Sequence, residues 1–175
     1  MVLVSFGAAV GVIVVLVCVS AFFSSSETAI FTLPEEWFTE SASTSTSASD
    51  GRLAVLRELR SDPHRLLVTI LVGNNVVNVA IASLTTLLAT EYLPPVIAVS
   101  VATVVASAIV LIFGEIVPKS YGLGNAPAWA LRVATPISIV ERALFPIVAV
   151  FDFITRALNE LIGGEPEIEK THVDE

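Results

Sequence analysis

The sequence is poor in charge, cysteine and histidine, and each shortage narrows what the chain can be. Charged residues fill 15% of its 175 positions while 54% are hydrophobic, against roughly 25% charged in an average soluble domain. This excludes an ordinary soluble globular chain and indicates an integral membrane protein. The single cysteine, Cys18, can form no intrachain disulfide and carries no information on redox compartment. Cys18 and the two histidines, His64 and His172, lie outside the polar patches described below, so zinc, copper or iron would find none of their preferred ligands there. No Lys or Arg precedes the first apolar run. That run therefore lacks the cationic start of a secretory signal peptide and reads as a retained helix. The net charge of −8 is uneven, because EPEIEKTHVDE, residues 165–175, holds five acidic residues and one lysine. This end reads as an acidic, solvated tail or the start of a further domain, and no nucleic-acid partner is implied.

What the chain does have is long uncharged runs. Residues 1–26, 66–90 and 92–114 carry no Asp, Glu, Lys, Arg or His, and each can cross a hydrocarbon core of about 30 Å, which needs about 20 residues. The expected fold class is all-α integral membrane, with three transmembrane helices per protomer at about residues 1–30, 66–90 and 95–117 inside a transport domain spanning 1–164. Arg52, Arg57, Arg60 and Arg65 fall between the first two spans and Lys119, Arg132, Arg142 and Arg156 follow the third, whereas the EYLPP turn has no cation. The positive-inside rule then predicts a multi-pass protein of the cell membrane with its N-terminus outside and its C-terminus cytoplasmic.

Between the spans, ESASTSTSASDG (40–51) is a low-complexity stretch expected to form a mobile loop. Leu53, Leu56 and Leu59 recur at helical spacing beside arginines, which predicts a short cationic helix over about 51–62, ended by Ser61, Asp62 and Pro63. Residues 127–162 are interrupted by Pro136 and Pro146 and punctuated by arginines. They predict two or three juxtamembrane helices lying in the interface, with Gly163 and Gly164 closing the last.

Three polar patches interrupt the apolar runs. In VSAFFSSSETAIF, Ser20, Ser24 and Glu27 share one helical face, whereas Ser25 and Ser26 are expected to bond their own helix, as serines in membrane helices commonly do. In GNNVVN, Asn74 and Asn78 share a face and Asn75 lies about 100° round from Asn74. Interhelical hydrogen bonding could account for one asparagine but is a strained account of three. In FGEIVPKS, Glu115 ends an uncharged run, Gly114 precedes it, and Pro118 cannot donate to the Gly114 carbonyl. The ordinary reading is an i, i+4 ion pair with Lys119; an intramembrane carboxylate is nonetheless a functional candidate by default. Hydroxyls, amide oxygens, one or two carboxylates and freed backbone carbonyls are hard donors that suit Mg²⁺ or Na⁺. Broken helices at mid-membrane are where secondary transporters commonly hold their ions.

SAFFSSSETAIF, LVGNNVVNVA and FGEIVPKSYG, in this order, resemble the transmembrane domain of the CNNM/CorC family of magnesium transporters. The resemblance implies a homodimer with three transmembrane helices per protomer and a belt of juxtamembrane helices. It implies a dehydrated Mg²⁺ in an inward-facing cavity and Mg²⁺ export, with Na⁺ entry as the candidate coupling. It carries ion-binding roles to Ser20, Ser24, Asn75 and Glu115 first, and to Asn74 and Asn78 second. A cytoplasmic regulatory region with CBS modules is expected in a full-length relative. No catalytic residues are assigned, and the chain is read as a non-enzyme whose partners are the lipid bilayer, Mg²⁺ and a second copy of itself. Two other readings stay open at this point: a Na⁺ or H⁺ antiporter, and a Mg²⁺-sensing membrane anchor that transports nothing.

Overall fold

A computed structural model describes residues 6–44 and 47–162, and every regular element among them is helical. Helix α1 spans Phe6–Thr32, α2 Glu35–Thr44, α3 Ser47–Arg60 and α4 Pro63–Thr90. Helix α5, Pro95–Ile109, continues without a break through a π-helical segment, Val110–Ile116, into α6, Val117–Gly124. Helix α7 covers Ala126–Ile162. Four of these bodies are long and apolar enough to cross a membrane: Phe6–Thr32, Pro63–Thr90, Pro95–Gly124 and Ala126–Phe151. The first three are the spans read from the sequence.

The joint between α3 and α4 follows the expected chemistry. The Ser61 amide bonds back to the Arg57 carbonyl at 2.9 Å. Asp62 then caps α4 by accepting from the Arg65 amide at 3.0 Å, with Pro63 in the first turn, where its missing N–H costs nothing.

Two expectations are corrected. The 40–51 stretch is not a loop in its described part. Helix α2 runs to Thr44 and α3 starts at Ser47, and Glu35 and Glu36 in the first turn of α2 complement its helix dipole. Residues 127–162 form one helix rather than two or three. Pro136 and Pro146 both lie on its exposed side, where the loss of one hydrogen bond apiece does not break a helix held elsewhere by packing. The expected glycine closure at 163–164 and the acidic tail lie outside the described residues.

Helix α1 is the axis of the assembly and packs against α4, the π segment, α6 and α7, while α5 lies on α4 and α3 on α7. The main apolar core sits where α1 ends and α4 begins. There Ala29, Ile30 and Leu33 meet Leu53, Leu56 and Leu59 of α3, Leu66 and Ile70 of α4, and Ala130, Val133 and Ile137 of α7. Two arginines of α3 close this end: Arg57 donates to the Phe38 carbonyl at 2.5 Å and Arg60 to the Leu33 carbonyl at 2.5 Å, with Glu35 3.1 Å from Arg60. Helix α7 is keyed to the rest by Trp129, whose indole N–H donates to Ser25 Oγ at 3.1 Å, and by an Arg65–Glu141 ion pair at 2.6 Å. On α5, Ala98, Ala102 and Ala106 are buried along one face, so part of the small-residue content of this span serves packing within the chain.

Candidate cation site

The middle of α1 faces α4 on one side and the π segment on the other. Ser20, fully buried, lies with its Oγ 2.9 Å from Asn74 Oδ1 and 2.8 Å from Asn78 Oδ1. Asn74 and Asn78 reach it together because residues four apart on α4 stand on one face. The Asn78 amide is oriented by its other end, since Nδ2 lies 3.4 Å from Glu115 Oε1 and can donate to that carboxylate. Four side chains from three helical segments thus converge: Ser20, Asn74, Asn78 and Glu115.

Glycines make that convergence possible. A Cβ at Gly114 would stand 2.8 Å from Ser20 Oγ, and one at Gly73 would stand 2.7 Å from the tip of the Phe23 ring. Farther along, a Cβ at Gly122 would collide with the Ser25 carbonyl oxygen. Only glycine lets α1 seat this closely against α4, the π segment and α6. The π segment itself comes from Gly114 and Pro118 together. The Val117 N–H bonds to the Ile112 carbonyl, five residues back, and this wider turn absorbs the register change that a proline without N–H imposes.

Proton counting defines what the arrangement can do. A serine hydroxyl carries one hydrogen and can satisfy one acceptor at a time, yet Ser20 faces two amide oxygens, with the Glu115 carboxylate just beyond Asn78. The cluster has more oxygen lone pairs than hydrogens, which is the condition a cation relieves. Among the described residues no group of three or more His, Cys, Asp or Glu side chains is placed to hold a metal. Neutral oxygens with a single carboxylate are therefore the donor set.

The other residues singled out by the sequence fall differently. Asn75 is not brought to the cluster; it lies exposed, and its amide donates to the Leu71 carbonyl at 2.9 Å. Its 100° offset from Asn74 carries it round the helix. Ser24 is fully buried one turn from Ser20, and its hydroxyl has no partner. Ser25 and Ser26 bond the carbonyls of Ala21 and Phe22 at 2.7 and 2.6 Å, as expected of serines in a membrane helix, and Ser25 Oγ in addition accepts from the Trp129 indole of α7. Lys119 pairs with Glu27 of α1 at 3.4 Å, not with Glu115 one turn before it. Sequence reading missed this pairing because Glu27 is remote in the chain. It also missed Thr69, a buried α4 threonine without a hydrogen-bond partner, for which a lone threonine among aliphatic residues gives no pattern.

Residues 11–175 match the Cyclin M transmembrane N-terminal domain family, CNNM. The chain belongs to the CNNM family. Among curated relatives, a DUF21 domain-containing chloroplastic protein of Arabidopsis thaliana is 36% identical over 152 residues, covering 87% of this chain and 22% of the relative. A second, putative DUF21 domain-containing chloroplastic protein of the same plant is 33% identical over 155 residues, covering 87% of this chain and 22% of that protein. The UPF0053 inner membrane protein YfjD of Escherichia coli is 30% identical over 154 residues, covering 86% of this chain and 34% of that protein. The chain thus spans between about a fifth and a third of the length of these relatives. The match takes in all three polar motifs, so the converging side chains belong to the CNNM membrane domain itself.

Proposed function

We propose that this chain is the membrane domain of a Mg²⁺ transporter and that Ser20, Asn74, Asn78 and Glu115 bind the transported ion. The observation that carries this reading is the surplus of oxygen acceptors around Ser20, where one hydroxyl hydrogen stands among two amide oxygens and a nearby carboxylate. Mg²⁺ takes six oxygens at about 2.0–2.1 Å and gives up water reluctantly. A site drawing oxygens from α1, α4 and the π segment supplies several of the six, with carbonyls of the π turn and retained water completing the shell. One carboxylate offsets part of the dehydration cost without holding the ion irreversibly. Ca²⁺, which prefers six to eight ligands at about 2.3–2.6 Å and often bidentate carboxylates, suits this set less well.

In this reading the chain crosses the membrane three times, through α1, α4 and the α5–π–α6 body. The first half of α7 packs on α3 and α1, with Arg132 and Arg142 exposed to the interface. The cation-rich α3–α4 joint and α7 face the cytoplasm, by the positive-inside rule. Two copies associate through α4 and α5, where Asn75, Ser100, Thr103 and Ser107 form exposed polar or small-residue faces on membrane helices. Mg²⁺ leaves the cell with Na⁺ as the coupling ion, and the parts of longer relatives beyond this chain supply regulation by CBS-type modules.

Glu115→Gln tests the site. It keeps the side-chain volume and removes the charge, so calorimetry on the folded variant should show Mg²⁺ binding weakened at least a hundredfold. Unchanged affinity would remove Glu115, and with it this site, from the account.

A further inference from the structure

Helices α1 and α5 scarcely touch, although α1 packs closely along the π segment and α6 that continue α5. Glycine sets the close end: Gly114 lies against Ser20 and Gly122 against the Ser25 carbonyl, with no room for a Cβ at either. Toward the other end the two helices splay. A cleft of about 560 Å³ opens there between Val10, Val14 and Val17 of α1 and Val105 and Ile109 of α5, with Thr85 and Leu88 of α4 behind it. A second cavity of about 480 Å³ follows α1 past Val117 and Tyr121 to Trp129. Cys18, Ala21 and Phe113 line both, so the two form one groove.

The chemistry of the cleft excludes water. Its polar side-chain groups are the Thr85 hydroxyl, spent on the Ile81 carbonyl at 2.7 Å, and the Cys18 thiol, a weak donor. A water needs two to four polar partners and finds none to spare. Both walls belong to helical bodies long and apolar enough to cross a membrane, so what fills the cleft is hydrocarbon. From Val10 to Ser25 helix α1 rises about 22 Å at 1.5 Å per residue, more than the ~15 Å that one leaflet contributes to a hydrocarbon core of about 30 Å. The groove therefore suits one long, extended chain. Its far end is amphipathic: Tyr121 and Trp129 meet edge to face, 5.3 Å between centroids, and the Trp129 N–H is held by Ser25, as aromatic side chains are placed at a membrane boundary. Arg132, exposed, stands one turn farther along α7, a cation where a phosphate would lie. A second copy of the chain fits less well, because Val105 and Ile109 lie about 200° round α5 from Thr103 and Ser107, the face assigned above to association.

We propose that this groove binds one phospholipid, its headgroup beside Trp129 and Arg132 and one acyl chain running along α1, past Cys18, into the cleft between α1 and α5. The chain would cover Phe113, which is 58% exposed and adjoins Gly114 and Glu115, so the lipid buttresses the π segment next to the ion cluster. The site stands whichever ion Glu115 takes.

Native mass spectrometry of the full chain, delipidated in detergent and titrated with dioleoyl phosphatidylglycerol, tests the proposal. One lipid per chain should be retained at a concentration at least tenfold below that needed for the next. Ala21→Phe puts a ring where the two cavities meet and should raise the half-saturation concentration at least tenfold, whereas Val12→Phe, at an exposed position outside the groove, should leave it within about twofold. A second measurement needs no variant: Cys18 is the sole cysteine and is exposed, so bound lipid should slow its alkylation by N-ethylmaleimide at least fivefold. Successive lipids bound with equal ease, equal binding by Ala21→Phe and Val12→Phe, or a thiol that reacts at one rate with and without lipid would each overturn the proposal. So would loss of the retained lipid as the chain dimerises, which would give the groove to a second copy.

Discussion

Gly114→Ala adds one methyl group at the point where the π segment touches the ion cluster, and the structure allows its effect to be worked out. The new Cβ would stand 2.8 Å from Ser20 Oγ and 3.4 Å from Ser20 Cβ, about 0.7 Å inside the ~3.5 Å of comfortable contact. The backbone need not move, because the obstructing atom is the tip of a side chain. Ser20 can rotate away, but rotation gives up its contacts of 2.9 and 2.8 Å with Asn74 and Asn78. An interhelical hydrogen bond in a membrane is worth about 0.6–2 kcal/mol, and replacing glycine in a helix returns about 0.5–1 kcal/mol. The net loss of stability should therefore be about 1 kcal/mol or less. Ion affinity should suffer more. A ligand displaced by roughly 0.7 Å cannot remain in a shell with bonds of about 2.0–2.1 Å, so the Mg²⁺ dissociation constant should rise at least tenfold, equivalent to ~1.4 kcal/mol. Calorimetric Mg²⁺ titration and thermal unfolding of the same preparation separate the two quantities. Gly11→Ala, where a Cβ would meet nothing within 4 Å, should match wild type in affinity and match or exceed it in stability. A folded Gly114→Ala with wild-type affinity would refute the reasoning that Ser20 is held against the ion by that contact.

Asn78→Ala should weaken Mg²⁺ binding at least tenfold, whereas Asn75→Ala, exposed and bonded to its own helix, should change it less than twofold; equal losses in the same titration would reject the assignment of α4 faces. Trp129→Phe removes the donor to Ser25 and should cost about 1 kcal/mol in reversible unfolding without altering Mg²⁺ affinity. In a Cys18→Ala background, Thr103→Cys or Ser107→Cys on the exposed face of α5 should trap a covalent dimer under mild oxidation, and a monomer under all conditions would contradict the proposed association through α4 and α5.

Much of the helical plan was legible because membrane spans and amphipathic helices announce themselves in one dimension. The uncharged runs marked three of the four helices long and apolar enough to cross a membrane, the leucines at 53, 56 and 59 marked the buried face of α3, and Asp62–Pro63 marked the start of α4. Ser26 behaved as a local serine does, whereas Ser25 bonds its own helix and also accepts from Trp129 of α7. What failed was inference from interruption. Proline at 136 and 146 and serine at 41 and 43 look like breaks, yet α7 runs through the prolines and α2 includes the serines, because packing and helix-end charges outweigh one lost bond or a weak propensity. Within the candidate site, hydroxyl, amide and carboxylate were visible as types. Which asparagines share the face of Ser20 was a matter of 100° steps that only the packed helices resolve. Local spacing offered Glu115 as the ordinary partner of Lys119, but Lys119 pairs with Glu27, 92 positions away in sequence and adjacent in space. Thr69 carried no signal at all, since its distinguishing property is the bond it does not make.

The central claim is that one carboxylate among neutral oxygens carries Mg²⁺ across the membrane. Flux by the purified chain in liposomes loaded with a Mg²⁺-sensitive dye, wild type beside Glu115→Gln, tests it most directly. The account predicts Mg²⁺ movement by wild type, dependent on a Mg²⁺ gradient and responsive to an opposing Na⁺ gradient, and its loss in the variant although the variant inserts normally. Mg²⁺ bound by wild type but never moved would make the domain a sensor, Na⁺ or H⁺ flux without Mg²⁺ would make it a different antiporter, and equal Mg²⁺ flux in both proteins would show that Glu115 does not hold the ion.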